Sequence, residues 1–308
     1  MALTRYDMKR WYLMLRGKSL FHVNQEIGKC FTKTGLTGYY NDLTEKVTKE
    51  PDLLGTDKLP LHPTASKELV YFPVAVFQYG FGAYDLYLQN GDERCLDKFL
   101  QCAKWALDNQ EPSGAWNNFF FSYPQAPYGA MAQGEGASIM LRVYKRTNDE
   151  RYLHAAKRAL DFMLLPLDKG GTCLYENGEP VLMEYTHLPA VMNGWIYAWL
   201  GLYDYVVATG DEGYYKDMMD QSLQALEKRM PLFTTNYWSK YDLAKRIASP
   251  FYHHMHIALM QAMYQLTGHQ IFDDYARRWQ SNEQSRLCKS RAFCVKVWQK
   301  IREQNGKL

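Results

Sequence analysis

A chain of 308 residues can bury a full core, and its 47% hydrophobic and 22% charged residues describe an ordered globular protein, not a disordered one. Lys and Arg exceed Asp and Glu only by 36 to 33, which excludes the global basic field that nucleic-acid binders use. No stretch of the sequence is apolar for long enough to span a bilayer.

At the amino end, the apolar run from Trp11 to Leu15 is too short for a signal-peptide core. The six cysteines, Cys30, Cys95, Cys102, Cys173, Cys288 and Cys294, form no CxxC pair and read as reduced, mostly buried thiols, although Cys288 and Cys294 lie near enough in sequence to pair. Together these features predict a cytoplasmic protein. Residues 1–70 are punctuated by Gly and Pro and are expected to form an irregular extension, with Tyr39-Tyr40 and Pro60 to Pro63 suited to extended structure.

Beyond residue 70 a helix, a tight turn and a second helix recur four times. The turns read Asn90-Gly91-Asp92, Thr147-Asn148-Asp149, Thr209-Gly210-Asp211 and Thr267-Gly268-His269. Gly or Asn at each centre suits a left-handed helix end, and the Asp that follows in three of them can cap the next helix. The flanks carry helical periodicity, as in Phe77, Phe81, Tyr84 and Leu88, in Met192, Ile196, Trp199 and Tyr203, in Tyr152, Ala156, Leu160 and Met163, and in Tyr215, Met219, Ser222 and Leu226. Such hairpins bury their apolar faces by stacking side by side, which predicts an all-α fold of the α/α-toroid type, an incomplete barrel of about four helical hairpins. The expected division is an extension over 1–70, the toroid over 71–287 and a basic tail over 288–308. That carboxyl-terminal region, with Arg286, Lys289, Arg291, Lys296, Lys300, Arg302 and Lys307, reads as a solvated helix or as a contact for an anionic polymer or membrane.

Three long connections on this scaffold, 109–128, 165–189 and 230–250, are where binding groups are expected. The second alternates around Glu176-Asn177-Gly178-Glu179 and predicts a small inserted β-hairpin. Nucleotide signatures are missing, with no GxGxxG after a strand and no GxxxxGK[ST], so hydride and phosphoryl transfer are not expected, and neither is a cofactor. His253, His254 and His256 cluster beside Tyr252, but without HExxH or a carboxylate at a matching helical offset they read as hydrogen-bonding or packing histidines, and no metal is expected. What remains is tyrosine, glutamate and basic residues at loop-to-helix junctions. The 24 tyrosines can pack helix ends, or offer sugars an apolar ring face and a hydroxyl.

The segment from Ala126 to Tyr144, APYGAMAQGEGASIMLRVY, resembles the AMAQG…LVRAY stretch of D-glucuronyl C5-epimerases, the enzymes that turn glucuronate into iduronate in heparosan-type chains. Three further stretches agree in order: Asn109-Gln110 with Gly114-Ala115-Trp116; Met183-Glu184-Tyr185, Pro189, Met192 to Trp195 and Gly201 to Asp204; and Tyr241-Asp242-Leu243 with Tyr252 to Ile257. The resemblance spans roughly residues 70 to 285. It implies that the family's catalytic Glu-Tyr pair falls on Glu184 and Tyr185, and its two later tyrosines on Tyr241 and Tyr252. Trp116, Tyr128, Gln133, Arg142, Asn193, His253 and His256 are then expected at the substrate. The family arginine after YDL is Ala244 here, so Lys245 or Arg246 would take its place. The β-rich domain of animal members has no counterpart in the seventy irregular residues.

The residue types fit that chemistry. Removing the C5 proton of a uronate makes a carbanion beside a carboxylate, whose charge needs cations or strong donors, for which Lys245, Arg246 and Arg142 are candidates. Inversion also needs one proton carrier on each ring face. The expected partner is a uronate-containing oligo- or polysaccharide, and homodimerisation stays open. Two alternatives share the residues: a polysaccharide lyase, which expels the C4 substituent from the same carbanion, and a non-catalytic glycan-binding toroid. A glycosidase would pair Glu135 with Glu184 and leave the tyrosines unexplained.

Overall fold

The computed structural model describes residues 25–49, 54–64 and 66–304; the run from Trp11 to Leu15 and Lys307 lie outside them. The described chain forms two compact units, the first made of residues 29–39 and 43–228, the second of 25–28, 40–42 and 229–304. Residues 29–39 and 43–72 belong with the first three hairpins, and the fourth hairpin belongs with the chain that follows it.

The first unit opens with a single helical turn, α1 (Glu45–Thr48), and a two-stranded antiparallel hairpin of β1 (Leu61–Pro63) and β2 (Leu69–Tyr71), paired Leu61 to Tyr71. Three helical hairpins follow: α2 (Pro73–Asn90) with α3 (Glu93–Asp108), α4 (Ala130–Thr147) with α5 (Glu150–Leu164), and α6 (Met192–Thr209) with α7 (Tyr214–Arg229). Between the second and third lies the expected β-hairpin, β3 (Cys173–Glu176) and β4 (Glu179–Leu182). Its two-residue loop, Asn177-Gly178, takes φ of 53° and 82°, the left-handed pair that matches strand twist. The second unit holds the fourth hairpin, α8 (Pro250–Thr267) with α9 (Gln270–Gln284), and then α10 (Arg286–Gln304).

The repeat turns do what their residues predict. Gly91, Asn148, Gly210 and Gly268 end α2, α4, α6 and α8 with φ of 72°, 57°, 70° and 76°, and each donates its N–H back into the last turn. Asp92 and Asp149 then accept the Arg94 and Arg151 N–H groups at 3.0 Å and start α3 and α5; Asp211 accepts from the Tyr215 N–H at 3.0 Å.

The two helices of a hairpin differ in kind. On α4 every residue from Ala130 to Val143 is buried, and on α6 every residue from Met192 to Leu202. Helices α3 and α5 instead bury one stripe, Leu96, Phe99 and Ala103 in one and Ala156, Leu160 and Met163 in the other. The first helices therefore form an interior layer and the second helices its cover. In α2 the expected stripe holds for Phe77, Phe81 and Tyr84, whereas Leu88, in the last turn, is exposed. Helices α4 and α6 touch backbone to backbone, because a Cβ on Gly134 would lie 2.5 Å from the Cα of Ala198 and one on Gly201 2.5 Å from the Cα of Gly134. Among the described residues no helix is long and apolar enough to cross a membrane.

Candidate active site

In the first unit the chemistry gathers around the chain leaving the β-hairpin. Strand β4 is followed by Met183, whose carbonyl accepts the Ala130 N–H at 2.8 Å and ties the hairpin to the start of α4. Glu184 comes next and is buried. Its carboxylate lies over the first turn of α6, against Gly194, where any Cβ would overlap it. One carboxylate oxygen, Oε2, is buried without a hydrogen-bond partner. Burial pushes the Glu184 carboxyl up to about 7, partly opposed by a hydrogen bond from Tyr185. Asn193, in the same turn of α6, also buries an unpartnered oxygen, Oδ1.

A second carboxyl belongs to this interior. Glu135, fully buried in the middle of α4, accepts from Gln78 Nε2 of α2 at 2.9 Å with one oxygen and leaves the other unpartnered. Burial, and then the Glu184 charge, raise it to about 8, while Gln78 and Lys46 act in the opposite sense. Lys46, on α1, is lowered to about 8 by the burial around its ammonium, with Glu135 holding it up. Near neutrality two carboxyls and an amine thus sit close to their titration midpoints, where protons can be taken or given. Tyr185 lies at the edge of this group, stacked on Phe119 with ring centroids 4.7 Å apart and flanked edge-on by Tyr123 at 5.7 Å. Together they make a ledge of aromatic faces.

Several expected substrate residues make contacts within the scaffold. Trp116 is buried, donates its indole N–H to the Ala106 carbonyl at 2.8 Å, and packs against Gly136, where a Cβ would overlap it. Gln133, with no exposed surface, accepts the Trp116 N–H at 2.9 Å and donates to the Trp116 and Gly129 carbonyls, so its amide is spent on backbone. Tyr128 donates its hydroxyl to Glu111 at 2.7 Å. Arg142 is enclosed as well. Its buried guanidinium pairs with Asp204 at 2.6 Å and donates to the carbonyls of Ser138, Thr37 and Gly38.

The second unit carries the other expected residues. The loop from Lys240 to Ile247 closes on itself through the Tyr241 N–H and the Arg246 carbonyl at 2.7 Å. Buried Asp242 binds the Arg246 side chain and also accepts its backbone N–H at 3.2 Å, which sets the guanidinium 5.8 Å from the centre of the Tyr241 ring. The Tyr241 ring in turn meets Tyr252 with centroids 4.8 Å apart. Lys245, exposed at the loop tip, has φ of 69° and is held by its carbonyl, which accepts from Gln299 at 3.0 Å. A left-handed lysine is a strained choice where glycine would serve.

Under Tyr252 the histidine pair is arranged by a single serine. His253 stacks on Trp238 at 3.6 Å and is lowered to about 4 by burial, so it is neutral. Its Nδ1 accepts the Ser239 N–H at 3.1 Å, so its proton is on Nε2, donated to the Trp279 carbonyl at 3.2 Å. The Ser239 hydroxyl, 2.8 Å from the same Nδ1, must donate to it and hence accept from Nδ1 of His256 at 3.0 Å. That leaves Nε2 of buried His256 as a bare acceptor without a partner. His253 is thus held between Ser239 and Trp279, while the His256 ring, with its unpartnered Nε2, lies 6.5 Å, centroid to centroid, from Tyr252.

Within each unit the structure groups Glu184, Tyr185 and Asn193, and Tyr241, Tyr252, Arg246 and His256. Residues that sequence reasoning passed over are Lys46 and Gln78, with Glu135 considered only in a glycosidase pair. A carboxylate between AMAQG and GASIML on a helix with no polar face was an available signal for Glu135; Lys46, in irregular chain, offered none.

Helical hairpins in an interior and a covering layer define an α/α-toroid protein. The likeness to cellobiose 2-epimerase from Spirochaeta thermophila, which covers 91% of this chain and 86% of that one at 10% identity with a TM-score of 0.50, shows the same fold. Within that class the chain belongs to the D-glucuronyl C5-epimerase C-terminus family, which matches residues 110–281. It is 27% identical to the D-glucuronyl C5-epimerase of Caenorhabditis elegans over 209 residues, 59% of this chain and 34% of that protein. It is 30% identical to the uncharacterized protein MJ1128 of Methanocaldococcus jannaschii over 158 residues, 49% of this chain and 51% of that one. The chain thus spans about a third to a half of the length of these relatives.

Proposed function

We propose that this protein inverts C5 of glucuronate, giving iduronate, in a uronate-containing glycan. The observation that carries the reading is Glu184: it falls on the glutamate of the family's Glu-Tyr pair, and it is a buried carboxyl with one unpartnered oxygen and a pKa pushed up to about 7. A group that must take a proton from carbon and return it to bulk water works best with such a midpoint. Proton transfer is assigned to the residues that carry the family's pattern, Glu184, Tyr185, Tyr241 and Tyr252. The C5–H bond breaks to a carboxylate or phenolate, the electron pair passes to the neighbouring uronate carboxylate, and a second group delivers a proton to the opposite ring face. Arg246, oriented by Asp242, and Lys245 stabilise the dianionic intermediate. Tyr123 and Tyr185, the latter backed by buried Phe119, offer ring faces to the sugar's C–H groups.

Incubation in D2O with a panel of glucuronate glycans tests the proposal by proton NMR. Solvent deuterium should appear at C5, with iduronate signals growing alongside. Absence of exchange on every glycan would sink it. Growth of ultraviolet absorbance from an unsaturated uronate would instead identify the lyase outcome of the same carbanion.

A further inference from the structure

Helix α10 presents two unlike faces. At about 100° per residue, Cys288, Ala292, Val295 and Gln299 fall on one side. Ala292 is buried and Cys288 and Val295 pack on Tyr237, Trp238 and Ile247 of the same unit; Gln299 accepts from the Ile247 N–H and donates to the Lys245 carbonyl, each at 3.0 Å. The opposite side carries Leu287, Phe293, Trp298 and Ile301, exposed to 84%, 42%, 51% and 45%. A merely solvated tail has no reason to turn four large apolar side chains outward together. The margins of this apolar stripe are basic, with Lys289 and Lys300 on one edge and Arg291 and Arg302 on the other; Arg286 starts the helix within the stripe, and the helix carries a single acid, Glu303.

The charge selects the occupant. A second copy would bring identical basic margins together with almost nothing acidic to meet them. A soluble polyanion would match the margins but leave the apolar stripe in water. An anionic lipid surface satisfies both, with headgroups against Lys and Arg and the acyl boundary against Leu287, Phe293, Trp298 and Ile301. Trp298 suits that boundary, its ring being amphipathic and already capped by the Arg302 guanidinium 4.1 Å away. We propose that α10 seats the protein on an anionic membrane surface, lying in the plane of the interface. The inference is independent of the reaction assigned above.

The test is co-sedimentation of the full chain with vesicles of phosphatidylcholine alone and of phosphatidylcholine mixed with phosphatidylglycerol. The protein should pellet with the mixed vesicles and stay in solution with the neutral ones. Lys289→Gln with Lys300→Gln should weaken the partition by about fivefold per charge. Phe293→Ser with Trp298→Ser should weaken it at least about tenfold, with the thermal midpoint unchanged because both side chains are exposed. No partition into the mixed vesicles overturns the proposal. So does partition indifferent to the Phe293 and Trp298 changes and matched by binding to dextran sulfate, which would mark a polyanion site. A dimer in sedimentation equilibrium that dissociates on the same double substitution would assign the face to a second copy and overturn it equally.

Discussion

Glu184→Gln separates burial from pairing as the cause of that carboxyl's proton affinity. With a folded pKa of about 7 against an ordinary 4.5, Glu184 binds its proton more tightly in the native chain than in the unfolded one. Its contribution to stability is therefore fully present below about pH 4.5 and is lost as pH rises through 7. A difference of about 2.5 in pKa at ~1.36 kcal/mol each makes that loss roughly 3 kcal/mol. Glutamine keeps the shape and cannot ionise. The variant should match the parent in urea unfolding at about pH 4 and exceed it by up to roughly 3 kcal/mol at about pH 8.5, with the denaturant slope unchanged. Glu135, whose pKa Glu184 raises, should titrate at lower pH in the variant. If Glu184→Gln is instead the less stable protein at alkaline pH, or the difference is the same at both, the carboxylate is held by a partner and the reasoning from burial fails.

The scaffold and the chemistry should respond separately to other substitutions. Arg142→Met removes the buried guanidinium that pairs with Asp204 and should cost about 3–5 kcal/mol in urea unfolding, whereas Lys245→Ala should leave stability within about 0.5 kcal/mol. Lys245→Gly relieves the left-handed backbone at φ 69° and should raise stability by about 0.4–1 kcal/mol while lowering the C5 exchange rate about a hundredfold or more if its ammonium supports the intermediate. Gly194→Ala should abolish C5 exchange although Glu184 is retained, because the added methyl displaces the carboxylate, and should cost about 1–3 kcal/mol by overpacking. Tyr252→Phe removes one hydroxyl from a half-buried ring, so circular dichroism should be unchanged and deuterium incorporation lost; undiminished incorporation would remove Tyr252 from the proton-transfer set.

The sequence by itself determined the features that depend on near neighbours. A left-handed residue followed by a capping Asp closes a helix and opens the next whatever lies around it, so Gly91-Asp92, Asn148-Asp149 and Gly210-Asp211 could be read directly. Asn177-Gly178 likewise specifies its own hairpin. The family-bearing stretches on either side of Glu184 and Tyr252 were equally plain in the order of residues. Tertiary structure alone decided what each polar side chain does with its hydrogen bonds. Arg142, a candidate for substrate in the sequence, donates to the carbonyls of Thr37 and Gly38, more than a hundred residues away. Gln133 was claimed by Trp116, and His253 by Ser239 and Trp279. Glu135 and Lys46 could be recognised as titrating together only once folding enclosed both, because the desolvation that moves their proton affinities belongs to the packed interior and to no local segment.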